Sequence, residues 1–245
     1  MAEEGLREAA RKGDFESVKK LLLVGTKQVA NEAGETPLFL ATTSYVTEPK
    51  YVEVVRELLE DGADVNAANK AGDLPIHNAA AYGNFETTGL LIDYGADLEA
   101  EGEAKMVPLG LAAMKKHHAI VNLILTNLLE NDKVSERQFK WMFDAADDYQ
   151  QLNVYRALSS ILQNKKIIPK LVGLNIFQAI CKGFKSKKSV VSTALKLLLE
   201  ILKTPEGVKA AKENGIEATV KETIAQNTGD AVLEHLGSQV LEKLK

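Results

Sequence analysis

The sequence predicts an all-α fold built as a solenoid of stacked helical repeats. Three features of the chain predict it. Three phrases are edited copies of one another: GETPLFLA (Gly34 to Ala41), GDLPIHNA (Gly72 to Ala79) and KMVPLGLA (Lys105 to Ala112). Their markers share one period. Pro75 and Pro108 are 33 residues apart, as are Gly62-Ala63-Asp64 and Gly95-Ala96-Asp97; Leu58-Leu59, Leu91-Ile92 and Ile124-Leu125 step likewise. Independent markers with a common period of this length signal a repeat architecture. Beyond the last copy, apolar residues keep helical spacing, and no run alternates as a half-buried strand would.

The first unit is degenerate. Its LREAARKGDFESVKKLLLVG matches the later IHNAAAYGNFETTGLLIDYG at Ala10, Gly13, Phe15, Glu16 and Gly25, with Leu22 opposite the apolar Ile92. Its charged edge suits the solvent-facing end of a stack. The next three units each read as helix, tight turn, helix, loop. Pro37, Pro75 and Pro108 belong in a first helical turn, where no N–H is needed and the fixed φ helps. Thr36 can cap its helix, whereas Leu74 and Val107 lack a side-chain acceptor. Ala41, Ala79 and Ala112 are small so that neighbouring helix pairs can approach closely. Gly62 and Gly95 follow second helices, where the left-handed conformation is easiest for glycine. The polar runs ADVNAANKAGD and ADLEAEGEAKM are loops between units. Pro37 to Pro75 spans 38 residues, so five extra residues fall between Ala41 and Glu53, in TTSYVTEPKY. This insertion (42–51, with Tyr45, Pro49 and Tyr51) either makes a second contact or covers the core locally. One helix pair cannot bury its apolar face alone. Stacked neighbours can, which is why Pro and Ala recur while outward positions vary.

From Asp132 the Gly-Ala-Asp marker is gone. Helical patterns continue through SERQFKWMFDAA, LNVYRALSSILQ, NIFQAICKGF, VVSTALKLLLEILK, IEATVKETIAQ and DAVLEHLGSQVLEKLK. Thr204-Pro205 is a cap followed by a first-turn proline, and Asn214-Gly215 is a helix stop. Gly173 and Gly215 are 42 residues apart, as are Ala194 and Leu236.

Residues 5–130 resemble the ankyrin repeat family. The letters that carry the resemblance are Thr36-Pro37-Leu38, Pro75-Ile76-His77, the Gly-Ala-Asp-Val-Asn run ending at Asn66, and Gly83 ahead of Asn84-Phe85-Glu86. The resemblance implies about four ankyrin units in a domain over 1–131. The second domain, over 132–245, resembles armadillo repeats, best in ALKLLLEILKTPEGVKAAKENGIEATVKETIAQ; HEAT-like or irregular stacking is the alternative there. In the ankyrin family the Thr and His of the Thr-Pro-Leu-His phrase share a hydrogen bond. Here Thr36 is matched with Phe39 and His77 with Leu74, so no unit keeps both. The fourth unit has Leu128 in place of the terminal glycine, and its second helix is expected to run to about Asn131. Armadillo grooves that hold extended peptides present Asn near the end of the third helix. Gln163, Glu200 and Glu242 take that place, and the tryptophan partner is absent. That argues against an importin-like use.

Both resemblances imply a non-enzymatic adaptor or scaffold that binds a protein partner and needs no cofactor. The ankyrin contact surface maps onto Asn69, Lys70, Asp73, Glu103 and Lys105 at the loop tips, and onto Tyr82, Met114 and Lys115 on the first helices. Tyr82 and Met114 precede the inter-helix turn and are the expected anchors. An assembly chaperone or regulatory subunit would use the same surfaces transiently. A further alternative takes an anionic ligand, RNA or phosphoinositide, at the lysines of 165–188: Lys165, Lys166, Lys170, Lys182, Lys185, Lys187 and Lys188. Arginine is missing from that cluster and the whole chain is acidic, which argues against nucleic acid.

Composition bounds these readings. With 45% apolar residues in 245, the chain can bury a real core. Net charge is −4, but residues 1–132 carry 12 Lys/Arg against 22 Asp/Glu, whereas 133–245 carry 18 against 12. A shift from −10 to +6 suggests two units with different surfaces. The single cysteine, Cys181, excludes an intramolecular disulfide, fits a reducing compartment and is expected to be buried and structural. No 18-residue apolar run exists and the first residues are charged, which argues against a membrane span or signal peptide. The expected location is the cytosol, with the nucleus as the alternative. No His-x-x-x-His, Cys-x-x-Cys, Gly-x-Ser-x-Gly or phosphate-binding glycine pattern occurs, so neither a metal nor a catalytic centre is predicted. His77 and His117 are expected to be structural and His118 exposed.

Overall fold

Proline and capping chemistry set the helix starts. The computed structural model describes residues 1–43, 49–131, 148–162 and 167–245, and every regular element among them is helical. The chain divides into two units, Met1–Ile124 and Leu125–Lys245.

The first unit runs through α1 (Ala2–Lys12), α2 (Phe15–Leu23), α3 (Pro37–Ala41), α4 (Pro49–Glu60), α5 (Pro75–Tyr82), α6 (Phe85–Asp93) and α7 (Pro108–Met114). Its end falls within α8 (His118–Glu130), which stops one residue short of the expected Asn131. Prolines open α3, α4, α5 and α7. At α3 the Thr36 hydroxyl accepts the Phe39 N–H at 3.1 Å, as the sequence predicts.

First helices stack on first helices, α1 on α3, α3 on α5 and α5 on α7, while α2 packs on α4 and α4 on α6. The residue after each unit proline, Leu38, Ile76 and Leu109, is wholly buried. Ala41, Ala79 and Ala112 are buried too, where a larger side chain would hold the helices apart. Second helices end alike. Gly25, Gly62 and Gly95 adopt φ of +76°, +87° and +85°. The following N–H groups of Thr26, Ala63 and Ala96 then reach back to the carbonyls of Leu21, Leu58 and Leu91, a glycine-dependent helix stop. The Asn66 amide joins two such ends, donating to Gly95 O at 3.2 Å and accepting from Asp97 N–H at 2.8 Å.

Of the insertion, residues 44–48, including Tyr45, lie outside the described residues. Pro49 opens α4 and Tyr51 is half-buried. A Cβ on Gly13 would meet the Tyr51 ring at 3.0 Å, so this end of the insertion rests on the turn of the first repeat.

The second unit holds α9 (Asp148–Ile161), α10 (Ile168–Gly173), α11 (Ile176–Gly183), α12 (Lys188–Ile201), α13 (Pro205–Glu213), α14 (Ile216–Gln226) and α15 (Ala231–Lys243). SERQFKWMFDAA and Gln163 lie outside the described residues. From α10 the helices form two triplets in sequence, and like packs on like: α10 on α13, α11 on α14, α12 on α15. Thr204 caps α13 by accepting the Gly207 N–H at 3.1 Å, as predicted, and Asp230 caps α15 through Leu233 N–H at 3.2 Å. The second helix of each triplet opens on a left-handed residue, Asn175 (φ 56°) and Gly215 (φ 65°). The counterpart of Gly215 is therefore Asn175 and not Gly173. Asparagine tolerates this conformation through its short polar side chain, so matching glycines alone misaligns the copies. Tyr155 on α9 is fully buried and donates to Ala179 O at 2.7 Å. Gly183 makes room for its ring, since a Cβ there would lie 2.5 Å from the phenol oxygen. Among the described residues, no helix is long and apolar enough to cross a membrane.

Candidate binding groove

The loops between units end in tight tips. In the first, Asn31 N–H donates to Glu35 O at 3.0 Å, and Asn31 Oδ1 accepts from Ala33 and Glu35 N–H. Asn69 repeats this arrangement with Asp73 O, Ala71 N–H and Asp73 N–H. Gly34 and Gly72 supply the left-handed residue of each tip, at φ +82° and +90°. The tips are bonded edge to edge: Lys70 N–H donates to Ala33 O at 2.9 Å, and Glu103 N–H to Asp73 Oδ1 at 2.9 Å.

The third tip departs from the pattern. Gly102 replaces the asparagine, and a Cβ there would run into the Asp73 carboxylate and the His77 ring. Glycine is what lets Asp73 reach the third tip. Ala104 (φ 54°) and Lys105 (φ 60°) are both left-handed without being glycine. Such a residue carries a penalty of about 1–2 kcal/mol, part of which glycine returns as unfolded-chain entropy. Lys105→Gly is therefore expected to raise stability by about 0.5–1 kcal/mol, read as a higher thermal midpoint. A lower midpoint would mean that the Lys105 side chain holds the tip.

His77 latches α5 to this tip. The side chain is 1% exposed. Its Nδ1 accepts Leu74 N–H at 3.1 Å, which leaves Nε2–H to donate to Ala100 O at 3.0 Å and Met106 O at 3.1 Å. These bonds need the neutral imidazole. Burial pushes its pKa below the ordinary 6.5, against opposing pulls from Asp73 and the two carbonyls. His117, just ahead of α8, bonds Ala81 O at 3.0 Å through Nε2, in keeping with the structural role expected of it. His118, the first residue of α8, is half-buried rather than exposed, with its Nδ1 shielded from solvent.

Between α5, the N-terminal part of α7 and the third tip lies a recess of about 220 Å³. Half-buried Asp73 and exposed Glu103 line it together with Asn78, Ala81, Met106 and Leu111. Of the sequence-predicted contact residues, Asp73 and Glu103 are thus brought together. Asn69, Lys70 and Lys105 stand on the tips outside the lining. Tyr82 (half-buried), Met114 (42% exposed) and Lys115 (exposed) sit at the C-terminal ends of α5 and α7. Sequence reasoning missed Asn78, Ala81, Met106 and Leu111. Asn78 and Leu111 each lie three residues after a unit proline and Ala81 six after, one turn apart on one helix face, so aligning the copies by their prolines would have found them.

Two members of the lysine cluster are engaged within the chain. Lys165 and Lys166 lie outside the described residues. Lys170 Nζ donates to Leu129 O at 2.7 Å, satisfying the last turn of α8, and Lys188 pairs with Asp230 at 3.2 Å. Cys181 is half-buried rather than buried, and burial raises its thiol pKa. Among the described residues no group of three or more metal-ligating side chains gathers.

Hairpin tips bonded edge to edge over stacked first helices define a helical-repeat protein that presents tips and helices as one face. The chain belongs to the ankyrin repeat family: the family profile "Ankyrin repeats (3 copies)" matches residues 6–102 and 43–137. It is similar to the E3 ubiquitin-protein ligase XBAT33 of Arabidopsis thaliana, with 32% identity over 136 residues, 54% of this chain and 26% of that protein. Human ankyrin repeat and SOCS box protein 11 is 35% identical over 112 residues, 45% of this chain and 32% of the relative. Mouse protein fem-1 homolog A-like is 31% identical over 108 residues, 44% and 16% respectively. The chain thus aligns with a third or less of the length of each of these relatives.

Proposed function

We propose that this chain is a non-enzymatic adaptor or scaffold that binds a protein partner through the tips and first helices of its ankyrin units. The observation that carries the reading is the recess walled by α5 and the third tip, with Asp73 and Glu103 set side by side. Rigid helices fix its shape, and the side chains around it vary from unit to unit, which is how repeat proteins acquire specificity. The ligase and SOCS-box names of the relatives describe those longer proteins; they support an interaction module and no catalytic step in this chain. The natural division is an ankyrin domain over 1–131 and an armadillo-like helical domain over 132–245 that adds a second groove. Like-on-like packing of two helix triplets supports that second assignment. The cytosol suits the lone cysteine. An anionic-ligand role for 165–188 has less support, because Lys170 and Lys188 already have partners.

The test is the double variant Tyr82→Ala with Met114→Ala. Both side chains keep solvent contact, so folding is expected to be unchanged while partner affinity falls about tenfold or more. Unaltered binding would clear this surface of the role.

A further inference from the structure

The first two tips brace themselves. Asn31 and Asn69 each hold two backbone N–H groups of their own tip through Oδ1. The third tip has Gly102 at that place and lacks the brace. It is held from outside instead. His77 of α5 bonds Ala100 O at 3.0 Å and Met106 O at 3.1 Å through Nε2, so one ring ties both ends of the tip to the helix. The Glu103 N–H adds a tie to Asp73 Oδ1 at 2.9 Å. Ala104 and Lys105 are left-handed without being glycine, so the closed tip is strained. The four units carry Arg7, Phe39, His77 and Gly110 at the position of this latch. Arg7 makes the matching bond to Val29 O at 3.0 Å, but a guanidinium does not titrate in proteins. Of these four residues, only His77 makes bonds that depend on a proton.

The bonds fix one tautomer. Nδ1 accepts the Leu74 N–H at 3.1 Å, so the ring hydrogen is on Nε2. A second proton at Nδ1 would set two donors against each other at Leu74. We propose that His77 is a proton-operated latch: uptake of a proton from water at Nδ1 releases the third tip from α5. The charged groups around the ring are Asp73, Asp97, and Glu101, Glu103 and Lys105 of the third tip. The neighbouring α3 and α7 carry no titratable residue, and Glu86 and Asp93 of α6 are exposed. Burial holds the closed ring below the ordinary 6.5, outweighing the pull of Asp73, the two carbonyls and Asp97. In an open tip water reaches the ring, which then titrates near about 6.5. The open form therefore takes up the proton first as pH falls. Its population rises about tenfold between about pH 7.5 and about pH 5.5. Release of the tip needs no partner. For a partner held at the tips it loosens one edge of the binding face, a consequence that rests on the reading above.

Residue-resolved hydrogen exchange of the full chain, with no partner present, reads the opening directly. Each rate is divided by that of the unfolded amide at the same pH, so the solvent's own pH dependence drops out. The Leu74 and Glu103 amides are expected to open about tenfold more often at about pH 5.5 than at about pH 7.5, while amides of α12 in the second unit stay unchanged. His77→Gln keeps a donor and an acceptor without titrating in this range, and is expected to flatten the response. His77→Phe, which copies Phe39 of the second unit, is expected to flatten it as well, from a tip that is more open at every pH. A wild-type response that is flat, one of equal size in His77→Gln, or one of equal size at α12 would each overturn the latch. If neither variant folds, the wild-type contrast between Leu74 or Glu103 and α12 still decides. None of these outcomes bears on whether a partner binds the tips, which the Tyr82→Ala with Met114→Ala variant tests separately.

Discussion

Leu91→Ala is expected to destabilise the first unit by about 2–5 kcal/mol. Leu91 lies on α6, is wholly buried, and stands at the 33-residue step between Leu58 and Ile124, which are wholly buried as well. The helix that carries Leu91 packs both on α5 of its own unit and on α4 of the unit before it. Rigid helices on both sides cannot collapse into the space of the lost atoms, so a cavity term adds to the lost transfer term. Because units in a stack are stabilised by their neighbours, the loss spreads along the repeats and lowers the thermal midpoint of the whole unit. A loss near zero in denaturant titration would mean that the register of the repeat is wrong.

His77→Ala carries the second large effect, about 2–4 kcal/mol. It leaves Leu74 N–H, Ala100 O and Met106 O without their partner, and water entering from the recess offsets part of that loss. The sign of the pH dependence follows from the same bonds. Folded His77 has a lowered pKa, so the unfolded chain takes up the proton first as pH falls. The contribution of His77 is then complete above about pH 6.5 and shrinks as pH drops below that value. Wild-type protein is expected to lose more stability than His77→Ala between about pH 7.5 and about pH 5.5. Equal losses would mean that His77 is not held neutral.

What could be read from the sequence was local. Pro37, Pro75, Pro108 and Thr204-Pro205 fix helix starts because one ring or one hydroxyl decides the matter within a turn. Gly62 and Gly95 fix helix ends for a similar reason. Long-range juxtaposition was less legible. Asp73 and Glu103 were each assigned to the contact face, but their bond across 30 residues depends on the small size of Gly102, which reads in sequence as a loop glycine like any other. Asn78 reads as a tolerated surface letter, yet its Nδ2 is buried and has no hydrogen-bond partner among the described residues. In the second unit the repeat is marked by backbone conformation at Asn175 and Gly215, two different letters, so its register escapes a search for matching residues.

Which face meets the partner decides between the two binding surfaces. Lysines mark both rivals: Lys70, Lys105 and Lys115 on the ankyrin face, and Lys182, Lys185 and Lys187 near the junction of α11 and α12. Amine-reactive cross-linking of the full chain to its captured partner, read by mass spectrometry, separates them in one measurement. The ankyrin-face reading predicts cross-links concentrated at Lys70, Lys105 and Lys115. Cross-links confined to Lys182, Lys185 and Lys187 would contradict it.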